Sequence, residues 1–281
     1  MALELLFLGS GTSAGVPLIG CECEVCRSSD PRDQRTRASV LVRYPDREAP
    51  GDIDERTVRQ YMIDTTPEMR IQVLRHRIMR IDGVLFTHAH ADHIFGLDDL
   101  RRFNAAMDRA IDIYAERAVM ERFFEIFRYV FEPHKNVNDS FIPMLIPHTI
   151  EPEGVLTLRG AKWTPLRFLH GRLPILGFRV DWKDQSLAYC TDVSAIPPAT
   201  YPLLEGLDVL VLDALRYRHH PTHLTVDQAL EQIEQIHPKR AYLTHIAHDI
   251  SHAELEPRLP EHVFLAFDGL TVRCGVDHEA G

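Results

Sequence analysis

A layered α/β fold is predicted by three observations. Short apolar runs recur along the whole chain, one of them, ASVLVRY, shows the clean two-residue alternation of a strand, and helical patterns are interspersed among them. The chain has 281 residues, 45% hydrophobic and 26% charged, which is enough to bury a sizeable core. No internal repeat or low-complexity tract divides it, so one domain over 1–281 is the expectation.

The elements follow in order. LELLFLG (3–9) reads as a buried strand stopped by Gly9. ASVLVRY (38–44) alternates, with Ala38, Val40 and Val42 on one face, and RQYMID (59–64) is a third strand. The 45–58 segment between them, rich in Pro, Gly and charge, reads as an exposed hairpin insertion. TTPEMRIQVLRHR (65–77) has a Thr cap, Pro at the first helical position and Glu68 in the first turn, which predicts a helix. GVLFT (83–87) is a strand, and ERAVMERFFEIF (116–127) is a helix. Segment 127–160 lacks a clear period and is left unassigned. Strands follow at PLRFL, ILGFRVDW, SLAYCT, LDVLVLD, KRAYLT and HVFLAF. The remaining helices are TVDQALEQIEQIH (225–237), capped by Thr225, and HAELEPRL (252–259).

Charge and cysteine content narrow the function classes. A formal charge of −10 argues against a broad phosphate-tracking surface, so nucleic acid is not the expected partner. No apolar run is long enough to span a bilayer, and MALELLFLGSG lacks the basic start of a signal peptide. With an odd number of cysteines, five, this gives a cytoplasmic expectation and no membrane partner.

The chemistry sits at strand ends. FT|HAHADH, RFL|HG, YCT|D and YLT|H each close an apolar run with His or Asp, so their ligands can converge on one rim of a sheet. THAHADH supplies His88, His90, Asp92 and His93, a set suited to Zn²⁺, Mn²⁺ or Fe²⁺. His88 and His90 can point the same way, while Asp92 and His93 diverge towards a second ion. Four such residues in six, directly after a buried strand, outweigh a reading as solvated histidines. A separate cluster, GCECEVC, spaces Cys21, Cys23 and Cys26 tightly enough for one tetrahedral zinc. Its fourth ligand is open among His219, His220, His223 and His248. Cys190 and Cys274 lie in apolar runs and read as ordinary buried thiols. Gly9, Gly11 and Gly15 form a tight loop that lacks the Lys of a phosphate cradle, and Asp268-Gly269 reads as a plain turn.

His-x-His-x-Asp-His after a strand resembles the metallo-β-lactamase superfamily, whose fold is an αββα sandwich of two mixed sheets flanked by helices. LFLGSGTSAGVP (6–17) and THAHADHIFGLDDL (87–100) resemble the branch of tRNase Z and the phosphonate-pathway (PhnP-type) cyclic phosphodiesterases, and the cysteine cluster favours the latter. The resemblance covers essentially the whole chain. It implies one ion on His88, His90, His170 and Asp192, and another on Asp92, His93, His245 and the shared Asp192. It implies that Asp64 orients the metal ligands and that His223, with Asp92, is catalytic, His223 as the acid near the leaving group. Asp213 is a further rim carboxylate. It also implies a structural zinc on Cys21, Cys23, Cys26 and His248, three residues after His245, with His220 in reserve.

The expected cofactors are therefore two divalent ions, Zn²⁺ or Mn²⁺, and one structural Zn²⁺. Two ions ~3.5–4 Å apart would carry a bridging hydroxide for in-line attack on a small phosphodiester, ribose-cyclic or nucleotide-like. The branch leans towards a homodimer. The alternatives are a tRNase Z-like endoribonuclease, a glyoxalase II-like thioester hydrolase and a non-catalytic metal-binding module. The first should carry a long basic arm, which is absent from the sequence.

Overall fold

The computed structural model describes residues 2–46, 57–137 and 140–275. Its first sheet holds β1 (Glu4–Gly9), β2 (Ser39–Pro45), β3 (Val58–Ile63), β4 (Gly83–Leu85), β5 (Ile111–Ala115) and β6 (Leu145–Thr149). Its second holds β7 (Leu156–Leu158), β8 (Ala161–His170), β9 (Leu173–Trp182), β10 (Gln185–Cys190), β11 (Val209–Asp213), β12 (Arg240–Thr244) and β13 (Val263–Leu265). The chain then returns to the first sheet with β14 (Thr271–Arg273). The strand orders are β14-β1-β2-β3-β4-β5-β6 and β13-β12-β11-β10-β9-β8-β7. Each sheet is mixed. Pairing is parallel from β3 to β6 and from β10 to β13, and antiparallel elsewhere.

Strands buried on both faces need apolar residues in both registers, which explains runs such as ELLFLG. Leu5, Phe7, Val40, Val42 and Tyr44 meet Trp163, Phe178, Val180 and Tyr189 between the sheets. Leu6, Leu8 and Leu41 face the opposite way, towards the helices. Those helices are α1 (Met69–Arg75), α2 (Ala91–Ile94), α3 (Leu100–Met107), α4 (Arg117–Ile126) and α5 (Arg128–Phe131). On the second sheet, α6 (Val226–Ile236) buries Val226, Ala229 and Ile233, and α7 (His252–Leu255) adds Leu255. The polar ends of the core aromatics are satisfied. Trp163 Nε1 donates to Tyr44 Oη (3.1 Å), which donates to the Leu158 carbonyl (2.9 Å).

Several expectations change. The helix expected at 65–77 starts only at Met69, and Glu68 occupies the cap position without a side-chain cap bond. Thr66 is diverted: its hydroxyl donates to Gln72 Oε1 at 3.0 Å. HAELEPRL makes a single α-turn and then a 3-10 turn at Glu256–Arg258, because Pro257 cannot donate to the ladder. The unassigned 127–160 segment contributes α5, β6 and β7, while β5, β14, α2 and α3 are elements that periodicity missed. Most of the 45–58 insertion lies outside the described residues, although the strands flanking it, β2 and β3, pair antiparallel. Thr225 does close a capping box with Gln228 at the start of α6. No helix among the described residues is long and apolar enough to cross a membrane.

One buried ion pair fixes the loop after β12. Arg35 and Asp33 are 0% and 2% exposed at their side chains, and Nη2 lies 2.7 Å from Oδ1. Arg35 also donates to the carbonyls of Ala247 (3.2 Å) and Arg32 (3.2 Å), and the His252 N–H donates to Asp33 (2.9 Å). Removing one partner would strand a buried charge. Arg35→Ala is therefore expected to lower the unfolding free energy by about 3–5 kcal/mol in denaturant titrations. Arg27→Ala, which opens the exposed pair with Glu22, should shift it by less than about 1 kcal/mol.

Candidate metal centre

The His and Asp residues gather where strands of both sheets end. Asp64 follows β3, His88 closes the loop after β4, His170 ends β8, Asp192 follows β10, Asp213 ends β11 and His245 follows β12. His90 precedes α2, which carries Asp92 and His93. Asp64, Asp192 and His245 all adopt positive φ, at 64°, 61° and 62°. Each strand thus ends in a left-handed residue that turns the chain sharply, a conformation costly for non-glycine residues that persists where the surroundings enforce it.

Two sets of ligand atoms form. His88, His90 and His170 lie within 4.8 Å of one another, and so do Asp92, His93, Asp192 and His245. Asp192 also groups with His170 and His223, so it stands between the two sets. His93 Nε2 is 3.2 Å from Asp92 and 3.3 Å from Asp192, and His245 Nε2 is 3.3 Å from the other Asp192 oxygen. The Nε2 atoms of His88, His93 and His245 are enclosed and make no hydrogen bond. These atoms are held apart as a cation would hold them, and the donor set fits a divalent ion.

The electrostatics agree. Burial lowers His88, leaving a neutral ring able to ligate. Burial would also lower His93, but Asp192, Asp64 and Asp92 outweigh it and raise it well above the usual range. Burial works to raise Asp92 and Asp192, yet the surrounding histidines pull both below the carboxylate range.

Partners behind the rings fix their orientation. Asp64, fully buried, accepts from Thr87 N (2.8 Å), Thr87 Oγ1 (2.8 Å) and His93 Nδ1 (2.8 Å). Thr87 Oγ1 also meets His88 Nδ1 at 2.9 Å. His170 Nδ1 donates to the carbonyls of Thr222 (2.8 Å) and Asp192 (3.0 Å). Gly171, at φ 64°, allows that approach, since a Cβ there would sit 2.9 Å from the Thr222 methyl. Asp213 accepts from His223 Nδ1 (3.0 Å), Leu224 N (3.0 Å) and Asp192 N (3.2 Å), and lies 3.3 Å from His245 Nδ1. Sequence reasoning missed Thr87 and undervalued Asp213. A signal existed, because Thr precedes the ligand at three strand ends: Thr87, Thr191 and Thr244. Thr191 Oγ1 donates to Asp192 at 2.7 Å.

The cysteine cluster closes on His248. Its Nδ1 lies 3.2, 3.4 and 3.7 Å from the sulfurs of Cys21, Cys23 and Cys26. Zn–S and Zn–N bonds of about 2.3 and 2.0–2.1 Å put tetrahedral edges near about 3.6 Å, so the four donors fit zinc. The Cys26 N–H holds the Cys23 thiol down at about 6, whereas burial pushes Cys26 up to about 11. His220, the reserve ligand, is instead beside His223, with ring centroids 5.1 Å apart. Asp268 is also no plain turn residue. Its carboxylate accepts from Ser10 N and Oγ (2.9 Å each) and from Thr36 N (2.9 Å) and Oγ1 (2.6 Å). Asp64→Ala is expected to weaken divalent-metal binding by about 10–100-fold in chelator competition, since His93 loses the carboxylate that aims it.

The model of the Beta-lactamase superfamily domain matches residues 59–246. A solved structure described as a new diphosphatase from the PhnP family is 40% identical, with a TM-score of 0.84 over 98% of this chain and 99% of that one. Zn²⁺-bound PqqB from Methylobacterium extorquens shares the fold at 19% identity, with a TM-score of 0.75 over 96% of this chain and 99% of that one. The octanoyltransferase of Porphyromonas gingivalis is 37% identical over 95% of this chain and 51% of its own length, so the chain spans about half of that relative. On the match to most of its length and the identity to the PhnP-family structure, this chain belongs to the beta-lactamase superfamily of metal-dependent hydrolases, and within it to the PhnP family.

Proposed function

We propose that the chain is a binuclear phosphodiesterase acting on a small diester, with a structural zinc beside its active site. The observation that carries this is His223, 8% exposed, whose Nδ1 is hydrogen-bonded to Asp213 and whose ring lies 4.7 Å from that of His170. An acid oriented beside two sets of metal ligands suits the departure of an alkoxide, and a module that only binds metal has no use for one. Kinship with a PhnP-family diphosphatase supports phosphoryl chemistry, and the zinc in PqqB supports zinc as one candidate metal.

In this reading His88, His90 and His170 would hold one ion and Asp92, His93 and His245 the other, with Asp192 available to both sets. When bound, the pair of ions supplies an activated water and neutralises charge on the phosphoryl oxygens. Asp213 keeps the His223 ring in place, and in the imidazolium Nε2 carries the proton. That proton passes to the leaving oxygen as the phosphorus–oxygen bond breaks. Asp64 and Thr87 keep His93 and His88 from rotating away. Relatives named ribonuclease Z also match this chain, so substrate choice needs a direct test.

The test is a panel of bis(p-nitrophenyl) phosphate, 2′,3′-cyclic nucleotides, ribose cyclic phosphates, a nucleoside diphosphate, a precursor tRNA and a thioester, each with Mn²⁺ or Zn²⁺. Turnover of the small diesters is expected; activity confined to the thioester or the tRNA would reject the proposal. His223→Ala should reduce kcat on a cyclic nucleotide by about 10²–10⁴-fold. Its effect on the p-nitrophenyl diester should be smaller, because that leaving group needs little protonation. Elemental analysis should find about three ions per chain, and Cys23→Ser should lose about one zinc and lower the unfolding midpoint. Unchanged metal content in that variant would remove the structural zinc.

A further inference from the structure

Between the glycine loop and β2 the chain forms a loop over 18–28 that carries Cys21, Cys23 and Cys26. Val16, Val25 and Cys26, with Leu18, Cys21 and Cys23, make a small apolar cluster of their own, apart from the three large cores. Backbone hydrogen bonds also close within the loop. The N–H groups of Cys21, Arg27 and Ser28 donate to the carbonyls of Leu18 (3.0 Å), Cys23 (3.1 Å) and Val25 (3.1 Å). The thiols are what tie this loop to His248, and through it to the segment that carries His245.

Two of these thiols are placed to react with each other. Cys23 and Cys26 stand three residues apart on one turn, and the Cys26 N–H donates to Cys23 Sγ at 3.4 Å. A donor on the sulfur favours the thiolate, the form that attacks an oxidant. Cys23 is half-buried, which leaves it open to a small oxidant. The sulfurs of the cluster all lie within 4.8 Å of one another, so a second thiol is at hand to resolve the first. Cys190 and Cys274 differ on every count. They are 0% and 1% exposed, and burial pushes both thiols up, away from the reactive form.

We propose that the cysteine cluster is a site of reversible oxidative modification, at which hydrogen peroxide joins Cys23 to Cys26, ends the cluster's hold on zinc and loosens His245. The Cys23 sulfur attacks one peroxide oxygen, the O–O bond breaks, and Cys23 becomes a sulfenic acid as the first water leaves. The Cys26 sulfur then attacks the Cys23 sulfur, the S–S bond forms, and the S–O bond breaks to release the second water. Counted from two thiolates, one peroxide and two protons from solvent are consumed, and the sulfurs lose two electrons. Cys21 and His248 alone are two of the four ligands that zinc takes, too few to retain it. His248 is three residues from His245, which sits at positive φ, so freeing it removes one anchor of a ligand that needs enforcement. This rests on the structural zinc proposed above.

The test uses protein with zinc in the cysteine cluster and Mn²⁺ at the His and Asp centre, titrated with hydrogen peroxide. One equivalent should give a Cys23–Cys26 disulfide in peptide mass mapping, with Cys190 and Cys274 still reduced, and release about one zinc per chain to a colorimetric chelator. Mn²⁺ affinity of the centre should fall about tenfold in chelator competition. A dithiol reductant with fresh zinc should restore it, which oxidation of the centre itself would not allow. Zinc retained with the three cysteines intact would overturn this inference and leave the zinc reading standing. A disulfide that includes Cys21, direct passage to sulfinic acid, or unchanged Mn²⁺ affinity after the disulfide has formed would overturn it as well. Untreated protein whose cysteine cluster holds no zinc would overturn the zinc reading and this inference with it.

Discussion

Three imidazole Nε2 nitrogens, on His88, His93 and His245, are shut away from water with no hydrogen-bond partner, the latter two 3.3 Å from the buried Asp192. Burying such groups is costly, and the cost is offset only when a cation or a proton joins them. Much of the fold around the rim serves to keep these atoms aimed inward. Two sheets must present their strand ends side by side, and the ring of each of these histidines is met at its rear nitrogen by Thr87, Asp64 or Asp213. Left-handed backbone at Asp64, Asp192 and His245 is the local cost of bringing those ends together.

The loop after β12 is where these demands meet. It carries His245 into the site and His248 into the cysteine cluster, and its Ala247 carbonyl is gripped by Arg35. On its other side, Ile246 exchanges backbone hydrogen bonds with the glycine loop, donating to Ser10 and accepting from Thr12. Ser10 is in turn held by Asp268. The loop therefore meets the ion pair, the cysteine cluster and, through Ser10, the Asp268 carboxylate at once, which leaves His245, at positive φ, little room to relax.

Much of this was legible in the sequence because the chemistry sits on strand ends. Runs such as YLT|H announce both a buried strand and the residue it delivers, so residues able to converge on one rim were visible in the sequence, while their division into two sets came from likeness to a family. His248 followed from likeness to a family rather than from spacing, since four histidines were open to the cysteines. What stayed hidden depends on tertiary contact. Thr66 looks like a cap until Gln72 competes for its hydroxyl, Asp268 looks like a turn until Ser10 and Thr36 reach it, and β5 is too short to show a period. Thr87 was overlooked because a threonine before a ligand has meaning only when a carboxylate from another strand is opposite it.

The pairing of β1 with β14 sets Glu4 against Arg273, near the two extremes of the described chain. Asp268, just before β14, then braces the glycine loop that follows β1. Such distant pairings form late, because the entropy of closing a long loop is spent before the contact returns anything. The support beneath His245 is thus completed only when β14 has paired with β1. Without the β1–β14 pairing the His and Asp residues of the rim lose the brace that Asp268 gives the glycine loop beneath His245.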